Sequence, residues 1–364
     1  MRRTGCESGH APRPAPAREA GLPDERLMNR PAGWQAWGMR RPFTLLAAAL
    51  LTGALAVPAT AADGDGDGEF TIRDPRITES SGLAASHRHP GIYWTHNDSD
   101  DGAYLYAVDS RTGETVATIT MTGVGSPRDV EAVSIGPDNE IWVGDIGDNL
   151  GGTWPHVWIY RLPEPKTLRD QKIRATQYVV KYSDGARDAE SLVVHPKTGR
   201  VYIVDKNEKG GHLYEGPADL TPGGTNVFRP VAAVPDLEAT DATLSPDGEH
   251  LVVRSYFGAV AYDWNGGRIK RKERLGVPFL GQGESVTYTA DGTKLMFGAE
   301  GADSPVEPQD APGGSDSAPA QGGSSSSGEG SGGDGLSGGL KTGAIAAAAA
   351  LVVVVGLRRL RRRG

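Results

Sequence analysis

The chain has one cysteine, Cys6, and it lies in a stretch that export is expected to remove. A mature protein without thiols has no disulfide, no cysteine-ligated zinc and no cysteine nucleophile. Its stability must then come from core packing. Histidines number eight, and none falls in an H-E-x-x-H pattern. G-x-S-x-G, a Walker loop and a dinucleotide fingerprint are missing as well. A zincin, a nucleophile-elbow hydrolase and a nucleotide-driven enzyme are therefore unsupported. His96 beside Asn97 and Asp98 is the one histidine placed to act as a base, while His156, His195, His212 and His250 read as turn or strand-face residues.

Both ends carry processing signals. Phe43 to Val57 is an uncharged Ala/Leu-rich run behind Arg40-Arg41, and Ala59-Thr60-Ala61 has the small residues of a signal cleavage site. The mature protein is expected to begin near Ala62. Residues 1–38 show no apolar period, which makes Met39 a second candidate start, and the arginine pair admits a twin-arginine route. At the other end Thr342 to Leu357 is uncharged, follows Lys341 and precedes Arg358-Arg359-Leu360-Arg361-Arg362-Arg363. As a helix it would span about 24 Å, short of a hydrocarbon core of ~30 Å, but Lys and Arg at its ends can snorkel. The expectation is a single-pass membrane anchor with a cytoplasmic C-terminus, holding the chain on the extracellular face.

Charge becomes informative between these ends. Residues 62–340 contain 24 Lys and Arg against 42 Asp and Glu, hence −18. Such a surface repels nucleic acid and favours cations. The opening Asp63-Gly64-Asp65-Gly66-Asp67-Gly68-Glu69, with Asp74, imitates the spacing of a calcium loop. Its last ligand is Asp, however, and no helix precedes it, so residues 62–69 read as an acidic spacer. Residues 308–340, almost all Gly, Ser, Pro, Asp and Ala, read as a disordered stalk about 30–40 Å in mean reach.

Residues 70–307 hold a repeat. Arg128-Asp129-Val130-Glu131-Ala132 returns 59 residues later as Arg187-Asp188-Ala189-Glu190-Ser191, and Ile141 to Asp145 returns as Val201 to Asp205. Weaker copies start at Ser81, Asp241 and Glu284. Short strands with Gly, Pro, Asn and Asp turns at a period of roughly 43 to 59 residues predict an all-β fold, a β-propeller of four-stranded blades. Five blades are favoured, and six are open if the segment 149–156 or 168–174 conceals a strand. The last copy lacks an outer strand and Phe70 to Arg73 lacks a partner, so the N-terminal strand is expected to close the ring.

In a meander the start of the first strand and the end of the second share one face. That places Glu131, Glu190, Asp241 and Glu284 around one mouth of the channel, with Asp145, Asp148, Asn149 and Asp205 beside them. These eight are the candidate metal ligands, and calcium or another divalent cation is the candidate cofactor. Asn97, Asp98, Asn207, Arg254 and Glu300 are candidate ligand-binding residues on the same face. An acid at the start of an inner strand can equally accept backbone N–H groups of a neighbouring blade, and turn-favouring residues such as Asp148 and Asn149 need no ligand to explain them.

Ser81-Gly82-Leu83, Asn97-Asp98-Ser99, Asp129-Val130-Glu131-Ala132, Asp145-Ile146-Gly147-Asp148-Asn149, Asp188-Ala189-Glu190-Ser191 and Gly283-Glu284-Ser285-Val286 together resemble a group of secreted actinobacterial propellers. The group is similar to phytase-like and esterase-like propellers and to gluconolactonase-type propellers. For the lactonase type the resemblance implies a divalent ion held by Glu, Asn and Asp, for which Glu131, Asn149 and Asp205 supply the residue types. The Gly-His and Trp-Asp signatures of WD40 blades are missing, as is a sortase-type Leu-Pro motif.

Two functional readings follow. In the first, a surface-tethered propeller binds a ligand or protein partner through one face. In the second, an extracellular metal-dependent hydrolase of phosphoesters or lactones works at the acidic mouth.

Overall fold

Strand β1, Phe70–Thr71, is paired at the far end of the chain, which it reaches only after twenty further strands. The computed structural model describes residues 67–98 and 101–312. In chain order these strands are β2 Ser80–Ala85, β3 Ile92–Asn97, β4 Tyr104–Asp109, β5 Glu114–Thr122, β6 Val130–Gly136, β7 Glu140–Asp145, β8 Val157–Pro163, β9 Gln171–Arg174, β10 Thr176–Tyr182, β11 Ala189–Val194, β12 Val201–Asp205, β13 Gly210–Glu215, β14 Thr225–Pro235, β15 Asp241–Leu244, β16 His250–Ser255, β17 Gly258–Asn265, β18 Arg268–Leu275, β19 Gly283–Tyr288, β20 Lys294–Ala299 and β21 Pro305–Asp310. Apart from a 3-10 turn at Pro137–Asn139, all regular structure among the described residues is strand.

The burial pattern explains the sequence pattern. Inner strands β2, β11 and β19 are buried at every position, as strands packed on both faces must be. Outer strand β5 alternates, with Ala117, Ile119 and Met121 turned to the core. The first strands β2, β6, β11, β15 and β19 lie side by side in that order, and β19 returns to β2. Each gap between successive meanders is filled by its own apolar cluster. Trp94 and Leu105 pack with Ile141 and Tyr160, Ile159 and Tyr178 with Leu192 and Ile203, and Tyr202 with Val253 and Trp264. Val252 and Ala261 meet Val286 and Phe297, and Phe70 and Met296 meet Leu83 and Tyr93. The fold is all-β and propeller-like.

The N-terminal strand does what the unpaired ends of the sequence require. β1 lies antiparallel to β21, with Phe70 opposite Val306, and completes the sheet β1-β21-β20-β19. Gly113, at φ +75°, admits it: a Cβ there would stand 1.9 Å from the Thr71 carbonyl oxygen. β21 itself runs to Asp310, and Ala311 is buried, so the folded part extends past 307.

The connection 168–174 does conceal a strand. β9 pairs in parallel with β5, widening the first sheet to β2-β3-β4-β5-β9. A second parallel pair, β10 with β14, joins two meanders into one eight-stranded sheet.

One expectation is overturned. No helix among the described residues is long and apolar enough to cross a membrane, so a single-pass anchor with a cytoplasmic C-terminus is not supported. Residues 341–364, on which it rested, lie outside the described residues, as do the signal segment, most of the acidic spacer and the stalk beyond 312.

Candidate functional site

Four of the five inner strands carry an irregularity where they begin. The register shifts between Ser80 and Leu83, between Val130 and Ala132, between Ala189 and Ser191, and between Gly283 and Ser285. A bulge re-aims the side chain of its extra residue, and the extra residues of the last three are Glu131, Glu190 and Glu284. Their charges act on one another: Glu190 contributes to the titration of Glu131, and Glu284 to that of Glu190. β15 has no such shift, with Asp241 opposite Arg254 in plain register.

The acids close ranks on one side of this mouth. Asp98, Asp129 and Glu131 are all buried, and each offers an oxygen within 4.8 Å of the others. They come from the end of one sheet's second strand and the start of the next sheet's first, tied by a bond from Val130 N–H to the Asp98 carbonyl at 3.1 Å. Ser81 Oγ donates to Glu131 Oε2 at 3.0 Å, and Asn149 Nδ2 donates to Asp129 Oδ2 at 3.1 Å. Glu131 Oε1 is buried with no hydrogen-bond partner. Burial first, then the charges of Asp98, Glu190 and Asp129, push the Glu131 carboxyl well above the usual carboxylate range, with Lys206 opposing.

Such a group must take up protons or a cation. Oxygens 2.3–2.6 Å from a calcium ion lie at most about 5 Å apart, so the spacing fits an ion between them. The donors are all oxygen, with no thiol or imidazole in the group, which suits a hard cation. Gly147 makes the approach possible: a Cβ there would stand 2.7 Å from both Asp129 Oδ2 and Glu131 Oε1.

The remaining expected ligands are engaged otherwise. Glu190 Oε1 holds Lys206 Nζ at 2.5 Å, and that ammonium also reaches Tyr256 Oη at 2.6 Å. Burial pushes the Glu190 carboxyl up, to about 8, against the pull of Lys206. Burial works against the Lys206 charge too, but Glu190, Tyr256 and Glu284 outweigh it and hold the ammonium above the usual lysine range. The ammonium keeps its proton at neutral pH, and the 2.5 Å contact is an ion pair when Glu190 is ionised. Glu284 Oε1 accepts Gln282 Nε2 at 2.7 Å.

Asp241 spends its oxygens on backbone, accepting Val286 N–H of the next sheet at 2.7 Å and Ala242 N–H at 2.8 Å. Asp145 accepts Asp129 N–H at 3.0 Å and Tyr160 Oη at 2.5 Å. Asp148 accepts the N–H groups of Thr153 and Trp154 and so shapes the insert that follows β7. Arg128 pins that insert, its guanidinium 4.0 Å from the Trp154 ring centre and 3.8 Å from that of Trp158. Asp205 accepts His212 N–H at 2.5 Å and faces Arg187 at 3.7 Å.

Among the expected binding residues, only Asp98 joins the three-acid group. Asn97 is saturated, accepting Thr78 and Glu79 N–H at 2.9 and 3.0 Å and donating to the Arg76 carbonyl and Asp101. Asn207 caps a turn through Lys209 N–H at 3.0 Å, and Glu300 N–H bonds the Gln282 carbonyl at 3.0 Å. Arg254 is fully buried, donates to the Ser285 carbonyl and lies over Phe297 at 5.1 Å. Burial lowers it to about 10, against Glu284 and Asp241. His96 is buried and lowered to about 4 by that burial, so it is neutral. At the far end of the inner strands an axial cavity is lined by Leu83, Val133, Val194 and Val286 with Ser and Thr, and no acid borders it.

No family model matches the sequence, and no curated protein is similar to it by sequence. By structure the chain is similar to β-propeller-like sugar enzymes. A soluble aldose sugar dehydrogenase from Escherichia coli in its apo form is 10% identical at TM-score 0.41, over 66% of this chain and 98% of that one. A gluconolactonase from Xanthomonas campestris is 13% identical at TM-score 0.40, over 65% and 88%. The PQQ-bound aldose sugar dehydrogenase of Streptomyces coelicolor is 12% identical at TM-score 0.39, over 66% and 96%. Likeness at this level carries no argument about substrate or ligand.

Proposed function

We propose that this chain is a five-bladed β-propeller that binds a divalent cation of the calcium class at its acidic mouth and uses it to hold a ligand. The blade count is supported by the succession of five inner strands and the five apolar clusters between meanders. The cation reading is carried by one observation: three buried carboxylates share an ion-sized space, and Glu131 Oε1 has no hydrogen-bond partner there. Asp98, Asp129 and Glu131 would hold the ion, which supplies a Lewis-acidic centre for a ligand oxygen.

Thermal unfolding in excess calcium and in chelator tests this. An ion at about 100 times its dissociation constant adds ~2.7 kcal/mol, or roughly 5–11 °C for a domain of this size. The shift should vanish in Glu131→Gln. No shift in the unsubstituted protein rejects the cation site.

A second reading, a metal-dependent hydrolase of phosphoesters or lactones, is favoured by the Lys206–Tyr256 pair. The ammonium donates to the phenol oxygen at 2.6 Å and opposes the burial and the Glu190 and Glu284 charges that hold the Tyr256 hydroxyl above its ordinary range, which is the direction a general acid needs. Calcium-dependent turnover that is lost in Tyr256→Phe would select this reading over pure binding, and a phosphoester and lactone screen without turnover would remove it.

A further inference from the structure

β18 is the outer edge of its sheet and hydrogen-bonds within it only to β17. Its sequence, Arg-Ile-Lys-Arg-Lys-Glu-Arg-Leu, puts five cations and one acid into eight residues. Residues 62–340 hold only 24 Lys and Arg against 42 acids, so this edge runs against the composition of its own domain. Other outer strands differ. β5 has no cation, β10 and β14 have one each, β9 has two, and β21 carries Glu307 and Asp310. Discouraging edge-to-edge pairing takes a lysine or two, which leaves most of these charges unexplained.

Inside the molecule Asp263 of β17 stands opposite Lys270 in the register. Arg271 lies 3.6 Å from Asp236. Arg268, Lys270, Lys272 and Arg274 are exposed and make no ion pair within 4.0 Å among the described residues. The register shift around Lys272 places one of them on a bulge, which twists the edge away from strand pairing and leaves its side chains to solvent. At ~3.3 Å per residue the strand is about 25 Å long, with a cation every ~5 Å on average.

We propose that β18 is a binding site for a linear, phosphate-bearing polyanion laid along the outer rim. Arginine supplies three of the five cations, and its planar fork matches phosphate oxygens two at a time. The acidic remainder of the surface does not forbid this, because repulsion is screened beyond ~8 Å at physiological ionic strength. The site is on the rim, not at the mouth, and does not depend on the cation reading.

The probe is inorganic polyphosphate, with binding to the whole chain followed by fluorescence anisotropy. Binding should weaken at least tenfold between about 50 and 200 mM salt, as counterion release requires. It should weaken at least tenfold in R268Q/K270Q/K272Q/R274Q with the melting temperature kept. Four dispersed exposed lysines, changed in K166Q/K181Q/K197Q/K209Q, provide the control of equal charge, which should bind as the unsubstituted chain does. No binding at low salt, or equal loss in both variants, overturns the site. Polyglutamate binding as tight as polyphosphate overturns the phosphate assignment. Self-association that the first variant abolishes, without polyphosphate binding, gives the edge to a second copy of this chain and also overturns it.

Discussion

Gly147 stands against Glu131 so closely that a side chain there would occupy the space of the carboxylate: a Cβ would lie 2.7 Å from Oε1. The glycine sits two residues beyond the end of β7, where its N–H bonds the Asp129 carbonyl at 3.2 Å. The missing β-carbon is thus part of the acidic group.

Gly147→Ala should therefore act on the mouth more than on the fold. The added methyl drives Glu131 and Asp129 apart, so calcium should no longer raise the melting temperature, while far-ultraviolet circular dichroism stays unchanged. A calcium shift of undiminished size would separate the glycine from the ion site.

The Glu190–Lys206 pair predicts a pH dependence whose sign follows from both partners. Glu190 is held above its unfolded value, so its burial costs nothing below about pH 4.5 and an increasing amount as pH rises toward 8. Lys206 is also held above its unfolded value, and its contribution is lost only above the ordinary lysine range. In chelator, stability should fall between pH 5 and 8.5. Lys206→Met removes the cation that favours ionised Glu190, so the carboxyl stays protonated to higher pH and the fall in stability should continue above pH 8.5 instead of levelling off. The Glu190→Gln/Lys206→Met double variant should remove this pair's share of the pH dependence and leave that of Glu131 and Asp241. A Lys206→Met profile that levels off at the same pH as the unsubstituted chain would contradict the assignment, and denaturant titrations from pH 5 to 9.5 measure it.

Removing the N-terminal strand should open the molecule. Phe70 and Ile72 are buried against Met296, Val306 and Tyr93, and truncation at Asp74 also uncovers the edge of β21. Phe70→Ala alone should cost about 3–5 kcal/mol, and the truncated chain should self-associate through the exposed edge. Light scattering and chemical denaturation check both. A truncated chain that stays monomeric with its stability intact would mean that β1 is ornamental.

Several features of this fold are legible in the residues. The copies of Asp-x-Glu ahead of an apolar run mark inner strands, and Glu131, Glu190 and Glu284 stand out because they repeat. Of its partners, Asp129 repeats too, as Asp188, but Asp98 does not. Asp98 belongs to a neighbouring sheet. The repeat reports what recurs within a sheet, whereas the acidic group forms between two. β9 was legible only as an open alternative within 168–174, for a related reason. Gln-Lys-Ile-Arg offers a single apolar residue, Ile173, to the core and is held mainly by hydrogen bonds to β5.

The amino-acid sequence by itself determined the all-β class, the order of the meanders and the need for the two ends of the repeat region to meet, because strand alternation and turn chemistry are local properties of the chain. Which acid meets other carboxylates, which meets a lysine and which is spent on backbone N–H groups was decided by tertiary structure alone. Asp241, Glu190 and Glu131 hold equivalent places in the repeat. One faces the amides of the next sheet, one an ammonium that follows β12 of its own meander, and one two other carboxylates; the amides and Asp98 arrive only when the meanders pack around a common axis.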